Sequence, residues 1–210
     1  MYNYKDVLLA PEDIVIAIID EEPQMFFGVE GFNRAQIMNN VVGLAKAAKI
    51  FNVPVILSTV QAKEFSGPMY SKLQEVYPNQ TPIDRTTLNS WEDENFKAAV
   101  MATGRKKLII AGLWTEVCVA LPALCAKRDG YDVYFVSDAC GGSSKDAHDM
   151  AVQRMIQAGV KPLTWQALLL ELQRDWANSA TYTPVTNLIQ QVGGVYGLGL
   201  EYANEMIPKN

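Results

Sequence analysis

Short unbroken apolar runs alternate along the chain with longer segments in which apolar positions recur every three or four residues. The runs are 14–19 (IVIAII), 53–58 (VPVILS), 108–111 (LIIA) and 131–136 (YDVYFV). Runs of this length with no polar alternation are the signature of strands buried on both faces. Between them, residues 33–51 place Ile37, Val41, Leu44, Ala45 and Ala48 on one helical face. Helices are also expected over 92–101, from Thr115 onward, over 145–158 and over 165–176. Weaker signals suggest a short helix at 69–76, an extended segment near 82–84 and a short strand at 160–163. Strands alternating with helices predict an α/β protein with one doubly wound parallel sheet and helices on both faces.

The end of the chain breaks this rhythm. After the βα domain expected at 1–180 comes a segment, 181–210, with one helical stretch near 185–191 followed by VGGVYGLGLEYANEM. It is too apolar for a free linker. It is expected to be a C-terminal arm packed on its own domain or on a neighbouring subunit.

Composition narrows the function classes. The 210 residues are 49% hydrophobic and 20% charged, with a net charge of -5. An acidic chain of this kind is not expected to bind nucleic acid or an anionic membrane. Three cysteines without metal-type spacing fit a reducing compartment, so a cytoplasmic location is expected. The first residues show no basic stretch leading into an apolar core and cleavage site, so no leader is expected. A single histidine, His148, cannot build a multi-histidine metal site. There is no GxxxxGK[ST] loop and no GxGxxG after a strand, so neither metal nor cofactor is expected.

Candidate chemistry concentrates in residues 107–126, KLIIAGLWTEVCVALPALCA. Gly112 ends the strand pattern and Thr115 offers a helix N-cap, which would put Cys118 in the first turn. Helix N-termini favour a thiolate over a thiol. Pro122 has no N–H for the carbonyl of Cys118, a costly choice unless the helix start matters. The plainer alternative is that Cys118 is a packing residue, as most cysteines in apolar helices are. Cys125, and Cys140 in a Gly-rich turn, read as structural. Ligands of open parallel sheets bind beyond the carboxyl ends of the strands. Asp20 ends the first strand at that edge. TPIDRTTLNSWEDENF places Arg85, Asn89 and Trp91 in a loop before a helix. An acid, a cation and a thiol can therefore meet in one crevice, although each has an ordinary structural role open to it. His148 has the spacing of a satisfied helix residue rather than of a general base.

AGLWTEVCV, the aspartate ending the first strand, SDACGG followed by His148, and MIQAGVKPLTW together resemble the isochorismatase-like cysteine hydrolases. ATGRKKLIIAG, TEVCVALPAL and ELQRDW resemble the YcaC-like group within them. The resemblance runs from about residue 13 to 176. It implies a Cys–Asp–Lys triad acting on amides, ureides or related bonds. Carried over, Cys118 is the nucleophile, Asp20 the acid/base partner, and the third position falls on Arg85. Arginine stays charged and cannot relay a proton as lysine can, but it can hold Asp20 ionised. Many members have Gln where this chain has Glu22, and the histidine metal site of the nicotinamidases is missing. The resemblance further implies an oxyanion hole from the backbone N–H groups of Trp114 and Cys118, a cis peptide at Leu113–Trp114, and a homo-oligomer larger than a dimer. Trp91, Trp114 and Asn89 are candidate contacts for a small-molecule substrate. Vinyl-ether hydrolysis of the isochorismatase type and a catalytically silent oligomeric scaffold are the alternatives.

Overall fold

A computed structural model describes residues 7–207. Residues 1–6 and the last three residues of the expected arm lie outside the described part. Six strands form one sheet: β1 (Ile14–Ile19), β2 (Val55–Val60), β3 (Ile83–Arg85), β4 (Lys107–Leu113), β5 (Asp132–Gly141) and β6 (Lys161–Leu163). Their spatial order is β3-β2-β1-β4-β5-β6, and every pairing is parallel. The chain thus builds outward from β1 in one direction and from β4 in the other. The carboxyl ends of β1 and β4 flank the point where the winding reverses, which is where this architecture leaves a crevice.

Helices cover both faces, as the alternation requires. They are α1 (Pro23–Phe27), α2 (Arg34–Ile50), α3 (Ser71–Gln74), α4 (Glu94–Ala102), α5 (Ala120–Arg128), α6 (Lys145–Gln157), α7 (Trp165–Gln173), α8 (Ser179–Val192) and α9 (Val195–Met206). Helix α2 packs with α3, α7 and α8, while α5 packs with α6 and with a short 3₁₀ turn at Ser90–Glu92. Asn33, Asp93, Ser144 and Thr164 cap α2, α4, α6 and α7, each accepting a backbone N–H at the helix start. All of β1 is buried, as is β4 from Leu108 to Leu113, so the centre of the core is the pair of strands beside the crevice.

Several elements differ from the sequence pattern. The second strand starts at Val55 rather than 53 because Val53 N–H still closes α2 on the Ala48 carbonyl. The strand expected at 131–136 runs on to Gly141, so Cys140 is a buried strand residue and not part of a turn. Pairing passes from Ile110–Phe135 to Gly112–Cys140, and the extra β5 residues bulge out. One of them, Asp138, accepts from Trp165 N–H at the start of α7 and, through its carbonyl, from Asn40 Nδ2. Arg85 is the last residue of β3, not a loop residue. The arm is two helices. Helix α8 buries Val185, Leu188 and Ile189 against the domain's own α2 and α7. Helix α9, invisible in the pattern because Gly197 and Gly199 interrupt it, packs on α8 and leaves Val195, Leu198, Tyr202 and Met206 exposed.

Candidate active site

The carboxyl end of β1 turns sharply at Asp20, whose φ of 57° is left-handed. An aspartate tolerates that region better than most residues. Its N–H still bonds to the Ser58 carbonyl, 2.9 Å away, and its side chain is directed into the protein, fully buried. Arg85 reaches it across β2. Its Nη2 lies 2.6 Å from Asp20 Oδ2, and neither side chain has any exposure. The other guanidinium nitrogen, Nη1, donates to the Thr87 carbonyl.

Cys118 approaches from β4. The peptide Leu113–Trp114 is cis, and the chain then forms a π-turn over Thr115–Val119 before α5 begins. The π spacing is consistent with Pro122, which cannot supply the next α-type N–H to Cys118. Thr115 is not the cap that the sequence suggested. Its hydroxyl lies 2.9 Å from His148 Nδ1, and Trp114 occupies the cap position with no side-chain bond. Gly112 is required at the end of β4, because a Cβ there would stand 2.2 Å from the Ile19 carbonyl oxygen. That close approach brings the Asp20 and Cys118 segments side by side.

The thiol and the carboxyl interact, and their acidities show it. Burial raises Asp20 to about 6, against the pull of Arg85 and of the Cys118 thiol in the opposite direction. Burial and then the Asp20 charge push the Cys118 thiol up; Arg85 opposes this only in part. The thiolate favoured by a helix start is therefore not the resting form, because desolvation outweighs the dipole. The Cys118 thiol is close enough to share a hydrogen bond with Asp20, which favours the carboxylate and the thiol form together, while Asp20 Oδ1 has no N–H or O–H partner. Nature of the pair is thus thiol beside carboxylate, with the proton still on sulfur at neutral pH.

The remaining expected residues divide. Cys118 N–H donates to the Trp114 carbonyl at 3.0 Å, so one of the two expected oxyanion donors is already engaged. Trp114 packs over α1: its Nε1 donates to the Met25 carbonyl, and its ring fills the space at Gly28. Trp91 is a core residue at the far end of α5, donating to Asp129 Oδ2 and meeting Tyr131 edge-on. It is not brought to Cys118. The Asn89 amide is spent on Trp91 N–H, Glu92 and Cys125, so its role in this structure is to shape the 3₁₀ turn. His148 is buried, held by Thr115 and by the ring of Phe32, and burial lowers its pKa. Among the described residues, no three His, Cys, Asp or Glu side chains come together in a way that could hold a metal ion. Sequence reasoning passed over Glu116, which accepts from Ser143 N–H at 3.0 Å and ties the π-turn to the segment after β5. Ser66, whose hydroxyl lies 2.9 Å from Glu22 Oε1, has no expected role either; nothing in the local pattern of either residue signals these long-range contacts.

Comparison with known proteins identifies what this arrangement belongs to. The family model described as "Isochorismatase domain" matches residues 14–167, from the first residue of β1 into α7. The chain belongs to the isochorismatase family. Its similarity to the Escherichia coli protein described as "Probable hydrolase YcaC" is 39% identity, covering 82% of this chain and 83% of that one. A structure of YcaC from Pseudomonas aeruginosa, described as carrying hexane-2,5-diol and covalent acrylamide, superposes with a TM-score of 0.89 at 34% identity over 97% of this chain and 100% of that one. The E. coli YcaC structure, described as an octameric hydrolase of unknown specificity, gives 0.88 at 35% identity over 97% and 99%. Within the isochorismatase family, then, the six-stranded sheet is the shared frame. Asp20, Arg85 and Cys118 are the side chains this member sets at its switch point.

Proposed function

We propose that this isochorismatase-family hydrolase is a metal-independent cysteine hydrolase of a small C–N bond, amide- or ureide-like, working through a covalent acyl-enzyme. The observation that carries this reading is the meeting of Cys118, Asp20 and Arg85 at one buried point between β1 and β4. A thiol whose acidity is suppressed needs a base beside it, and Asp20, at about 6, is mostly ionised at neutral pH.

Asp20 takes the thiol proton as sulfur attacks the carbonyl carbon. The carbonyl electron pair moves to oxygen, and the tetrahedral centre is stabilised by N–H groups of the turn that begins at Trp114. Collapse breaks the C–N bond, and Asp20 returns the proton to the leaving nitrogen. Water then attacks the thioester with Asp20 as base, releasing the acid and restoring the thiol. Arg85 does not transfer a proton in this scheme. Its fixed charge keeps Asp20 from being raised further by burial and offsets the anion formed at sulfur. Covalent acrylamide in the Pseudomonas relative is consistent with a nucleophile that reacts with a small amide-bearing electrophile.

The functional unit in this reading is a homo-oligomer larger than a dimer, acting on a small molecule. The exposed apolar stripe of α9 supports this, and the octameric E. coli relative has nearly the same fold. The deciding experiment is a screen of small amides, ureides and nitriles with the wild type, Cys118→Ser and Asp20→Asn. Turnover by the wild type that both variants lose supports the reading; turnover that survives Cys118→Ser refutes it.

A further inference from the structure

Glu22 lies two residues beyond Asp20 and is as fully buried, yet among the described residues no cation is paired with it. The guanidinium within reach of this corner, Arg85, is spent on Asp20 and the Thr87 carbonyl. Glu22 instead uses one carboxyl oxygen, Oε1, which accepts from Val60 N–H at 3.0 Å and lies 2.9 Å from the Ser66 hydroxyl. The same hydroxyl also contacts the Val60 carbonyl oxygen. A serine carries one proton, and a carbonyl carries none. Both contacts are hydrogen bonds only if Glu22 donates one of them. Its second oxygen, Oε2, is buried without a partner, an arrangement a carboxylate tolerates far less than an acid.

These contacts lead back to the candidate site. Ser66 ends a turn that starts at Gln61, and Gln61 N–H donates to the Arg85 carbonyl at 2.9 Å. Ala62 N–H, in the same turn, donates to Asp84. Glu22 therefore fixes the segment that fixes Arg85. We infer that Glu22 is a positioning residue kept as an uncharged carboxylic acid, which pins the 61–66 turn and through it sets Arg85 against Asp20, and that losing its proton undoes this arrangement. The charged and titratable groups around the corner are Asp20 and Glu21 on the β1 side and Asp84 and Arg85 on β3. Three of the four are acids, so a charge on Glu22 would be repelled. In accord with this, burial and the charge of Asp20 raise Glu22 to about 8. Glu21 is pushed up in the same way.

The test compares Glu22→Gln with the full-length wild type. Glutamine keeps the acceptor for Val60 N–H and cannot ionise, but its amide oxygen cannot donate to Ser66, a loss that does not depend on pH. A group whose folded-state pKa is raised destabilises the fold progressively from the unfolded value, about 4.3, up to the folded one. The melting temperature of Glu22→Gln relative to the wild type should therefore rise from about pH 4.5 toward pH 8 and then level off, on top of a constant offset for the lost donor. A melting difference that does not change with pH, zero included, overturns the proposal. So does a wild-type minus Glu22→Gln infrared difference at pH 7 that shows carboxylate bands in place of a protonated carboxyl stretch. The positioning role is read separately, from chloroacetamide labelling of Cys118. Glu22→Gln should lack the wild type's departure above pH 8; Glu22→Leu, which loses both polar contacts, should label roughly tenfold more slowly at pH 7, as one pKa unit of displacement would give. Equal pH profiles in wild type and Glu22→Gln overturn the link to Arg85. The labelling arm rests on the proposed nucleophile. If that reading fails, Cys118 stays unlabelled in all three proteins while the melting difference remains.

Discussion

Arg85 and Asp20, on strands separated by β2, share a 2.6 Å ion pair from which water is shut out on both sides. Such a pair is poor evidence of net stabilisation, since bringing two charges out of water costs about what their attraction returns. Removing one partner is a different matter. Arg85→Gln strands a buried carboxylate and should cost about 3–5 kcal/mol in urea unfolding at neutral pH. Arg85→Lys retains the charge but gives up the fork to Asp20 and Thr87, so it should cost less than Arg85→Gln. A larger loss for Arg85→Lys would mean that shape, not charge, governs the corner.

The proton inventory predicts a pH profile. With Asp20 as base at about 6, Cys118 labelling or turnover should climb close to tenfold per pH unit below that value and flatten above it. Asp20→Asn should lose the inflection altogether. Stability runs the opposite way: the raised Asp20 favours the folded state most below its unfolded value near 3.9, and that advantage fades as pH rises through about 6.

Gly112→Ala tests the close approach of β4 to β1. A methyl 2.2 Å from a backbone oxygen cannot be absorbed by a side-chain rotation. The strands must move apart, with a loss of at least about 1–3 kcal/mol in urea unfolding. Gly199→Ala, where the added carbon meets nothing, should be neutral or slightly stabilising.

The α9 stripe predicts the state of assembly. Light scattering should report a particle larger than a dimer for the full chain. The double substitution Leu198→Lys, Tyr202→Lys should shrink it with little change in secondary structure by circular dichroism. A monomeric wild type at micromolar concentration would show that the stripe is not an interface.

Most of the sheet was legible in the sequence because buried parallel strands are continuous apolar runs, and IVIAII and LIIA admit little else. The site was half legible. Asp20 and Cys118 follow their strands directly, so topology alone brings them to one edge. Arg85 was found but misplaced in a loop, because a three-residue edge strand leaves almost no periodic trace. Trp91 looked like a substrate wall for the same reason that it is a core residue: it is a large aromatic in a polar stretch. The thiol's acidity was read with the wrong sign, since a helix start is visible in sequence and the depth of burial is not. Helix α9 was hidden by glycines that lower helical propensity, while packing on α8 supplies what propensity withholds.

Both edge strands, β3 and β6, are only three residues long and bonded to a single neighbour, and β3 ends in Arg85. Cys118, the proposed nucleophile, is anchored beside the central strand β4, and Arg85, its proposed electrostatic partner, comes from an edge strand. In the proposed reading, changes in the turn at 61–66 reach Cys118 through Arg85 and Asp20 while leaving the β1–β4 pairing itself unaltered.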